Sequence, residues 1–408
     1  MRRPAQLAID GGTPVRTTPM PSWPAPGADE IAAVTAVLEF GRLNYWTGSE
    51  GKSLEAEYAA GLGRLHAIVV ANGTLALELA LRAFKIEAGD EVVVPARTYI
   101  ATASAVVAVG ATPVIADVDP ETGTLTADTV AAVLTSRTRA VIPVHLGGWP
   151  ADMDPIIRLA HAHDLVVIED CAQAHGGTYR ERPVGALGSH AAAFSFCQDK
   201  IVPAGEGGLL VLDDTGAYER AWAYKDHGKS LAKVLAPEAV QLGPAFRWLH
   251  DSFGSNWRMP ELCAALARAG LHRLPEWHAA RTANALQLVT GLARQPALSV
   301  PLPGAESEHA FYRLYAYVRP EALADGWDRD RITRAITAEG TPCGYGSCAE
   351  IYREDAFASA GLGPATRLPG ALHTHETAIA FFVHPTLTAD DIADTLTAVS
   401  KVMKGATR

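Results

Sequence analysis

The segment FSFCQDKIVPAGEGG, residues 194–208, places Lys200 between an apolar run and a glycine cluster. The chain contains eight lysines against 27 arginines, so arginine is its usual source of positive charge. A primary amine can bond covalently to an aldehyde, which a delocalised guanidinium cannot do. An isolated lysine is most often an ordinary surface residue, but the flanking AAAFSF and GEGG favour a buried turn. Lys200 is therefore a candidate for covalent catalysis.

A carboxylate, Asp170, closes the apolar run LVVIED. An ionised carboxylate buried there needs a partner, because burying an unpaired charge is costly. A protonated heterocyclic nitrogen would be such a partner, and a cap on the next helix is the alternative. The neighbouring Glu169 points to the opposite side of a strand, since side chains alternate with a period of two. Asp170 is therefore the stronger candidate.

Further candidates follow the ends of other apolar runs. Gly73 and Thr74 come after HAIVVAN, where the amides and dipole of a starting helix favour a phosphate dianion, although an ordinary N-cap has the same sequence. Ser195 could add a hydroxyl to the same anion. Tyr99 offers a ring face for stacking, although an aromatic residue after a strand is more often part of the core. Gln173 follows the run that contains Asp170.

Strand-length apolar runs alternate with helical patterns over residues 66–215. The strand-like runs are HAIVV, DEVVVPA, TPVIADVD, RAVIPVHL, LVVIED and HAAAFSF. This alternation predicts an α/β fold with a mostly parallel central sheet and helices on both faces. In such sheets ligands bind at the carboxyl ends of the strands, which is where all these candidates are expected.

The candidates together describe one ligand. A phosphate site, an aromatic plate, a carboxylate for a ring nitrogen and a free amine match pyridoxal 5'-phosphate, PLP. The amine would hold the aldehyde covalently and move protons, and the carboxylate would keep the ring cationic.

The pattern changes after residue 215. Residues 257–294 read as two helices hinged near Leu274 and Pro275, and the remainder mixes strands and helices. We predict a large domain over residues 1–275, which would bind PLP, and a small α+β domain over residues 276–408.

The order and spacing of several motifs resemble one family. The motifs are ANGTLAL, GDEVVVPARTYIATASAV, PVHLGGWPADMDPI, VIEDCAQAHG, FSFCQDKIVPAGEGG and GSNWRM. The chain resembles the DegT/StrS sugar aminotransferases, which are fold-type I PLP enzymes, from GGTPVR to the last helix. Some relatives carry histidine instead of the lysine and dehydrate their substrate, and Lys200 argues against that branch.

The resemblance implies a role for each matching residue. Lys200 would hold PLP covalently, Asp170 would face the pyridine nitrogen, Gln173 would lie beside the phenolic oxygen and Tyr99 would stack on the ring. The phosphate ligands would be Gly73, Thr74 and Ser195. Asn256, in GSNWRM, would close the phosphate site of the neighbouring subunit, which implies a homodimer with shared active sites.

The resemblance also implies a reaction. Glutamate or glutamine would donate an amino group to a ketone on a sugar or cyclitol, as in amino-sugar or antibiotic biosynthesis. The opening LAIDGGTPVRTTPMPSWP and the segment LNYWTG look most like the keto-cyclitol subgroup, whereas other relatives act on nucleotide keto-sugars. Five residues are possible substrate contacts for which a structural role is the commoner outcome: His145, Trp149, His227, Arg258 and Tyr345.

Composition excludes several other classes. The formal charge of −10 over 408 residues disfavours nucleic acid as a partner. Residues 98–116 carry no charge, but their threonines, Gly110 and Pro113 favour a buried helix, turn and strand over a membrane span. The N-terminus lacks the apolar segment of a secretory signal. Five cysteines without zinc-site spacing favour a cytoplasmic enzyme with reduced thiols and no metal.

Two other functions stay open at this point. PLP could support elimination or sulfur chemistry, with Cys348 or Cys197 as the nucleophile. Alternatively, the chain could be a PLP-binding regulator that senses a metabolite without turnover.

Overall fold

A computed structural model describes residues 6–236 and 248–408 of the chain. Within these residues the strands are β1 His66–Val70, β2 Glu91–Pro95, β3 Thr112–Ala116, β4 Thr138–Val141, β5 Val166–Asp170, β6 Thr178–Tyr179, β7 Arg182–Pro183, β8 Ala191–Ser195, β9 Gly208–Leu212, β10 Leu298–Ser299, β11 Ser307–Glu308, β12 Leu314–Val318, β13 Cys343–Gly344 and β14 Ala378–Phe381.

The α-helices of the same residues surround and connect these strands. They are α1 Ala28–Phe40, α2 Glu50–Leu62, α3 Gly73–Ala83, α4 Ala101–Ala108, α5 Ala127–Ala131, α6 Met153–Ala162, α7 Thr215–Lys225, α8 Leu231–Leu235, α9 Glu261–Leu292, α10 Arg329–Ala338, α11 Asp355–Ala360, α12 Pro369–Thr377 and α13 Ala389–Ala406.

The largest sheet has seven strands in the order β1-β9-β8-β5-β4-β2-β3. Adjacent strands pair in parallel from β8 through β5, β4 and β2 to β3. Strand β9 runs antiparallel to both β8 and β1. Every residue of β2 is buried, as expected for a strand covered on both faces. Val92 and Val94 pack into one apolar cluster and Val93 into another, one on each side of the sheet. The predicted α/β fold with a mostly parallel central sheet is confirmed.

The uncharged segment 98–116 forms α4 and β3 inside this architecture. A buried helix, a turn and a strand were predicted there, and this prediction is confirmed. Across the described parts of the chain, the helices are either too short or too polar to cross a bilayer.

The C-terminal part builds a second sheet. Its four strands lie in the order β10-β12-β14-β13 and are antiparallel. A separate apolar cluster fills the space between this sheet and helices α9, α10 and α13. Thr388 and Asp391 cap the start of α13 reciprocally, as their spacing suggests.

Helix α9 corrects the prediction of two helices hinged near Leu274 and Pro275. It is one helix of 32 residues with Pro275 inside it. Proline removes one backbone hydrogen bond, but α9 packs along α1, α2 and α13, and these contacts hold both halves of the helix in line. The domain boundary at residue 275 stays a prediction, and it falls within this continuous helix.

Strand β5 ends in two acidic residues that face opposite ways. Glu169 is fully buried and accepts hydrogen bonds from His145 Nε2 at 3.1 Å, from the amide of Gly185 at 2.9 Å and from the hydroxyl of Ser189. Burial raises its pKa, but these donors outweigh that effect and the pKa is lowered. His145 Nδ1 accepts from the amide of Ala151, so Nε2 carries the proton. Glu169 therefore fastens β5 to the surrounding loops.

We predict that Glu169→Ala destabilises the fold by about 3 kcal/mol, because several buried donors lose their acceptor. Urea unfolding followed by circular dichroism measures the change, with Glu87→Ala as the control because Glu87 is exposed. Equal unfolding midpoints for the two variants would contradict this role of Glu169.

Candidate active site

A cavity of about 650 Å³ opens at the carboxyl ends of the central strands. Seven of the eight predicted site residues line it, although they are spread from position 73 to position 200. These residues are Gly73, Thr74, Tyr99, Asp170, Gln173, Ser195 and Lys200. The parallel sheet thus brings together the residues that the sequence separates.

Asp170 lies at the end of β5 and is buried. One carboxylate oxygen accepts from Thr102 Oγ1 at 2.9 Å, and the other accepts from the amide of Ala172 at 3.2 Å. Burial raises the pKa of this carboxyl group, and the two donors and the charge of Lys200 offset part of the increase. Thr102 in turn shares a hydrogen bond of 2.8 Å with Thr98. The arrangement fixes a carboxylate that still needs a cationic partner.

Lys200 lies in a turn after β8, and 15% of its side chain is exposed. Its backbone amide donates to Cys197 O at 3.0 Å, and its carbonyl accepts from the indole of Trp23 at 2.9 Å. The amine lies 4.8 Å from the centre of the Tyr312 ring and 3.9 Å from Asp199 Oδ1. The backbone is thus held on both sides while the amine reaches the cavity.

The start of α3 forms the candidate phosphate site. Asn72 caps the helix by accepting from the amide of Leu75 at 3.0 Å, and Gly73 is the first helical residue. A Cβ atom at position 73 would lie 2.8 Å from Ser195 Cβ, so the close approach of Ser195 requires glycine. The first amides of a helix have no acceptor within it, and together with the two hydroxyls of Thr74 and Ser195 they suit an oxyanion.

Gln173 and Tyr99 complete the predicted set that lines the cavity. Gln173 Oε1 accepts from the amide of Gly147 at 2.7 Å, and its Nε2 donates to Ser347 Oγ at 3.3 Å, which fixes the orientation of the amide. Tyr99 is 67% exposed and lines the cavity wall next to α4. Its ring face is therefore accessible to a ligand.

The eighth predicted residue, Asn256, is not among the described residues that line the cavity of its own chain. It is exposed and forms a backbone bridge with Asp226. The five possible substrate contacts are also absent from the described residues that line the cavity. His145 and Arg258 have internal partners instead, since Arg258 donates to Asp226 at 2.7 Å and His145 binds Glu169.

Several residues of the cavity were not predicted from the sequence, and four of them lie beside Asp170 or Lys200. Thr102 orients Asp170, and Asp199, Tyr312 and Arg313 form the wall beside Lys200. The two threonines that flank the start of α4, Thr98 before the helix and Thr102 in its first turn, were an available signal. Tyr312 and Arg313 come from the C-terminal part of the chain, and no local pattern links them to residue 200.

The cysteines lack the surroundings of a nucleophile. Burial and the nearby Glu354 and Glu350 raise the pKa of the Cys348 thiol, which disfavours the thiolate. Cys197 lines the cavity, but its thiol donates to Glu206 Oε1 at 3.8 Å, so the sulfur is already engaged by a carboxylate. The hypothesis of cysteine-based sulfur chemistry thus lacks support from the structure.

Curated relatives share most of the chain. An L-glutamine:2-deoxy-scyllo-inosose aminotransferase of Streptomyces fradiae is 37% identical over 339 residues, which are 82% of this chain and 78% of that protein. The enzyme of the same name from Micromonospora echinospora is 35% identical over 342 residues, 82% of this chain and 79% of that protein.

Solved structures share the fold. An aminotransferase from Psychrobacter cryohalolentis superposes with a TM-score of 0.91 at 49% identity, over 95% of this chain and 99% of that chain. DesV of S. venezuelae, in complex with a ketimine intermediate, has a TM-score of 0.82 at 33% identity, over 92% of this chain and 95% of that chain. The prediction of a fold-type I aminotransferase is confirmed.

The profile of one family, the DegT/DnrJ/EryC1/StrS aminotransferases, matches residues 24–400. This range includes every predicted site residue and the seven-stranded and four-stranded sheets described above. The chain therefore belongs to the DegT/DnrJ/EryC1/StrS aminotransferase family.

Proposed function

We propose that this aminotransferase uses PLP to move the amino group of L-glutamine or L-glutamate to a ketone on a cyclitol. The observation that carries the proposal is the convergence of Lys200, Asp170 and the start of α3 on one cavity. The curated relatives named above use L-glutamine and a keto-cyclitol according to their names, which favours this pair of substrates.

The residues of the cavity fit PLP in charge and in donor type. When bound, PLP supplies the aldehyde that takes up an amino group and the cationic ring that withdraws electrons from the reacting carbon. Asp170, buried and still without a cationic partner, suits the protonated ring nitrogen. Gly73, Thr74 and Ser195 suit the phosphate, Tyr99 suits the ring face, and Gln173 suits the phenolic oxygen.

Lys200 would act at two stages. Its Nζ would hold the PLP aldehyde covalently in the resting enzyme, and as a free amine it would move a proton at the reacting carbon of the substrate. The hydrogen bonds to Cys197 and Trp23 fix the backbone of Lys200, so the amine can leave and return while the turn stays in place.

The charges of the cavity bear on the choice of ketone. Its described lining residues include two cations, Lys200 and Arg313, and three acids, Asp170, Asp199 and Glu206. With the start of α3 assigned to the PLP phosphate, this balance suits a neutral hydroxylated ring better than a second phosphate-bearing group. A keto-cyclitol therefore fits the described wall better than a nucleotide keto-sugar.

A homodimer with shared active sites is part of the proposal. Asn256 is exposed and free of the cavity of its own chain, as a residue donated to a partner's phosphate site would be. A cytoplasmic location is also proposed, and the five free cysteines support it because reducing compartments keep thiols free.

We expect the purified enzyme, loaded with PLP, to aminate 2-deoxy-scyllo-inosose with L-glutamine faster than it aminates a nucleotide keto-sugar. Mass spectrometry of the aminated products measures both rates. Turnover of the nucleotide keto-sugar alone would contradict the cyclitol assignment while leaving the aminotransferase assignment in place.

We expect Lys200→Ala to aminate 2-deoxy-scyllo-inosose at least about 10³-fold more slowly than wild type. Lys404→Ala, which changes an exposed lysine, is the control. Borohydride reduction followed by peptide mapping gives a second measurement. PLP fixed to the peptide of Lys200 is expected, and PLP fixed to any other lysine would refute the assignment.

We predict opposite effects of Asp170→Asn on activity and on stability. The rate falls roughly 10²–10³-fold, because an amide cannot stabilise the charged ring nitrogen. Burial raises the pKa of Asp170, so its ionised form destabilises the cofactor-free fold near neutral pH, and the neutral amide removes that cost.

Thermal unfolding of the cofactor-free proteins measures the second effect. The stability gain of Asp170→Asn is present at neutral pH and shrinks as the pH falls toward 3.8, the ordinary value, because wild type then becomes protonated too. Asp164→Asn, an exposed change before β5, is the control. An Asp170→Asn protein that is less stable than wild type at neutral pH would refute this account.

We predict that Lys200→Ala and Asn256→Ala each lose activity alone, and that the two chains restore one another in mixed dimers because the active sites are shared. A dimer of one Lys200→Ala chain and one Asn256→Ala chain has one site with both wild-type residues. Random mixing by unfolding and refolding should then return about a quarter of the wild-type activity, because half of the dimers are mixed. Activity no higher than that of the separate variants would show that each site takes both residues from one chain.

A further inference from the structure

His175 lies in the loop after β5, and its ring is buried against β8. The ring centre is 5.2 Å from that of Phe194 and 5.3 Å from that of Phe196. These two residues belong to one apolar cluster, whereas Ala193 belongs to the cluster on the other side of the sheet and lines the cavity. Because the side chains of a strand alternate, the imidazole lies on the face of β8 opposite to the hydroxyl of Ser195.

Each ring nitrogen of His175 has one partner. Nε2 lies 2.9 Å from the carbonyl oxygen of Ser195, and Nδ1 lies 2.7 Å from the hydroxyl of Tyr58. A carbonyl oxygen only accepts hydrogen bonds, so Nε2 carries the proton and donates, and Nδ1 accepts from the Tyr58 hydroxyl. Burial lowers the pKa of His175 to about 4 and raises the pKa of Tyr58, so both groups keep these protonation states at neutral pH. The imidazole is therefore neutral and has a single tautomer.

The bond to Ser195 continues the pairing of β5 with β8 beyond the last residue of β5. The two strands are parallel up to the pair of Asp170 with Ala193, and the amide of Cys171 still donates to Ala193 O at 2.8 Å. The next carbonyl on this edge of β8 is that of Ser195, because the backbone groups of a strand repeat every two residues. The loop turns after Cys171, and the imidazole of His175 supplies the donor that a longer β5 would have supplied.

This bond fixes a residue of the candidate phosphate site. Ser195 also pairs with Gly208 of β9, so its backbone is held from both neighbouring strands. Its hydroxyl accepts from the amide of Cys197 at 3.3 Å and faces Gly73, where a Cβ atom would lie 3.2 Å from Ser195 Oγ. A small shift of the serine backbone would therefore change the distance from its hydroxyl to a bound oxyanion, and hydrogen bonds weaken steeply with poor geometry.

We propose that His175 is a positioning residue for the cofactor phosphate: its Nε2–H holds the Ser195 carbonyl, and Tyr58 fixes the tautomer that donates. The inference rests on the proposed function, because it requires the phosphate of PLP at Ser195 and the start of α3. His175 and Tyr58 are absent from the described residues that line the cavity, so they act through Ser195 and not by contact with the ligand.

A role in packing alone is the alternative, because His175 fills the space between Phe194, Phe196 and Tyr58. Two substitutions of similar length separate the two roles. Glutamine places an NH₂ group near the position of Nε2 and offers an acceptor to the Tyr58 hydroxyl, whereas methionine fills the space without a donor. Packing alone predicts the same cofactor affinity for both variants, and positioning predicts that only His175→Gln keeps the affinity of wild type.

Equilibrium dialysis of the cofactor-free, full-length enzyme against PLP and against pyridoxal tests the proposal without turnover. Both compounds carry the aldehyde and the ring, so the ratio of their Kd values isolates the contribution of the phosphate. The proteins are wild type, His175→Gln, His175→Met, Ser195→Ala and the double variant of His175→Met with Ser195→Ala. His161→Met, which changes an exposed histidine of α6, is the control.

Wild type, His161→Met and His175→Gln are expected to prefer PLP over pyridoxal by similar factors. His175→Met should reduce this preference about 10-fold, the lower end of the range for a hydrogen bond to a charged group, because the Ser195 hydroxyl is no longer held at the phosphate. Ser195→Ala should also reduce the preference. Adding His175→Met to it should cause no further reduction, because the two residues act on the same contact.

Three results would overturn the proposal: an unchanged preference in His175→Met, an equal loss in His175→Gln, or additive losses in the double variant. Nitrogen-15 NMR of wild type labelled at histidine keeps the test decisive if the substituted proteins do not fold. A proton on Nε2 and none on Nδ1 of His175 is expected at neutral pH, and a protonated Nδ1 would refute the donor assignment. Failure of the proposed function is a separate observation, namely that wild type itself binds PLP no more tightly than pyridoxal.

Discussion

The cost of burying the Asp170 carboxylate shapes the whole site. Burial raises the pKa of this group, and the donors around it, Thr102 and the amide of Ala172, compensate only in part. A carboxylate in this state favours a cation with an N–H donor. The protein thus keeps one unfavourable charge at the end of a central strand, and the other predicted residues surround the space that a cationic ring would fill.

The side chains of β5 alternate between the two faces of the sheet, which gives its last two residues different roles. Glu169 faces one side of the sheet, where its donors lower its pKa and it ties the strand to neighbouring loops. Asp170 faces the other side, where its pKa is raised. Two adjacent acids therefore have opposite electrostatic environments because successive side chains of a strand point to opposite faces. Glu169 holds the strand in position, and the placement of Asp170 at the cavity depends on that position.

The sequence predicted the fold and most of the site because both depend on local patterns. Apolar runs followed by polar residues marked the strand ends, and parallel strands bring those ends to one edge, so Gly73, Asp170 and Lys200 could be assigned to one cavity. The long helix α9 was misread because Pro275 looked like a break, whereas packing on three other helices keeps the helix continuous. Arg313 and Tyr312 were missed because contacts between distant segments leave no periodic signal near Lys200.

The indole of Trp23 joins three parts of the chain that are far apart in sequence. It donates to the carbonyl of Lys200, packs edge-on against Trp277 of α9 with ring centres 5.1 Å apart, and lies under the guanidinium of Arg281. A chimaera that receives only residues 194–208 from this protein would therefore contain Lys200 without the hydrogen bond that Trp23 donates to its carbonyl. To build the same site in another scaffold, the N-terminal segment that contains Trp23 would have to be transferred together with residues 194–208.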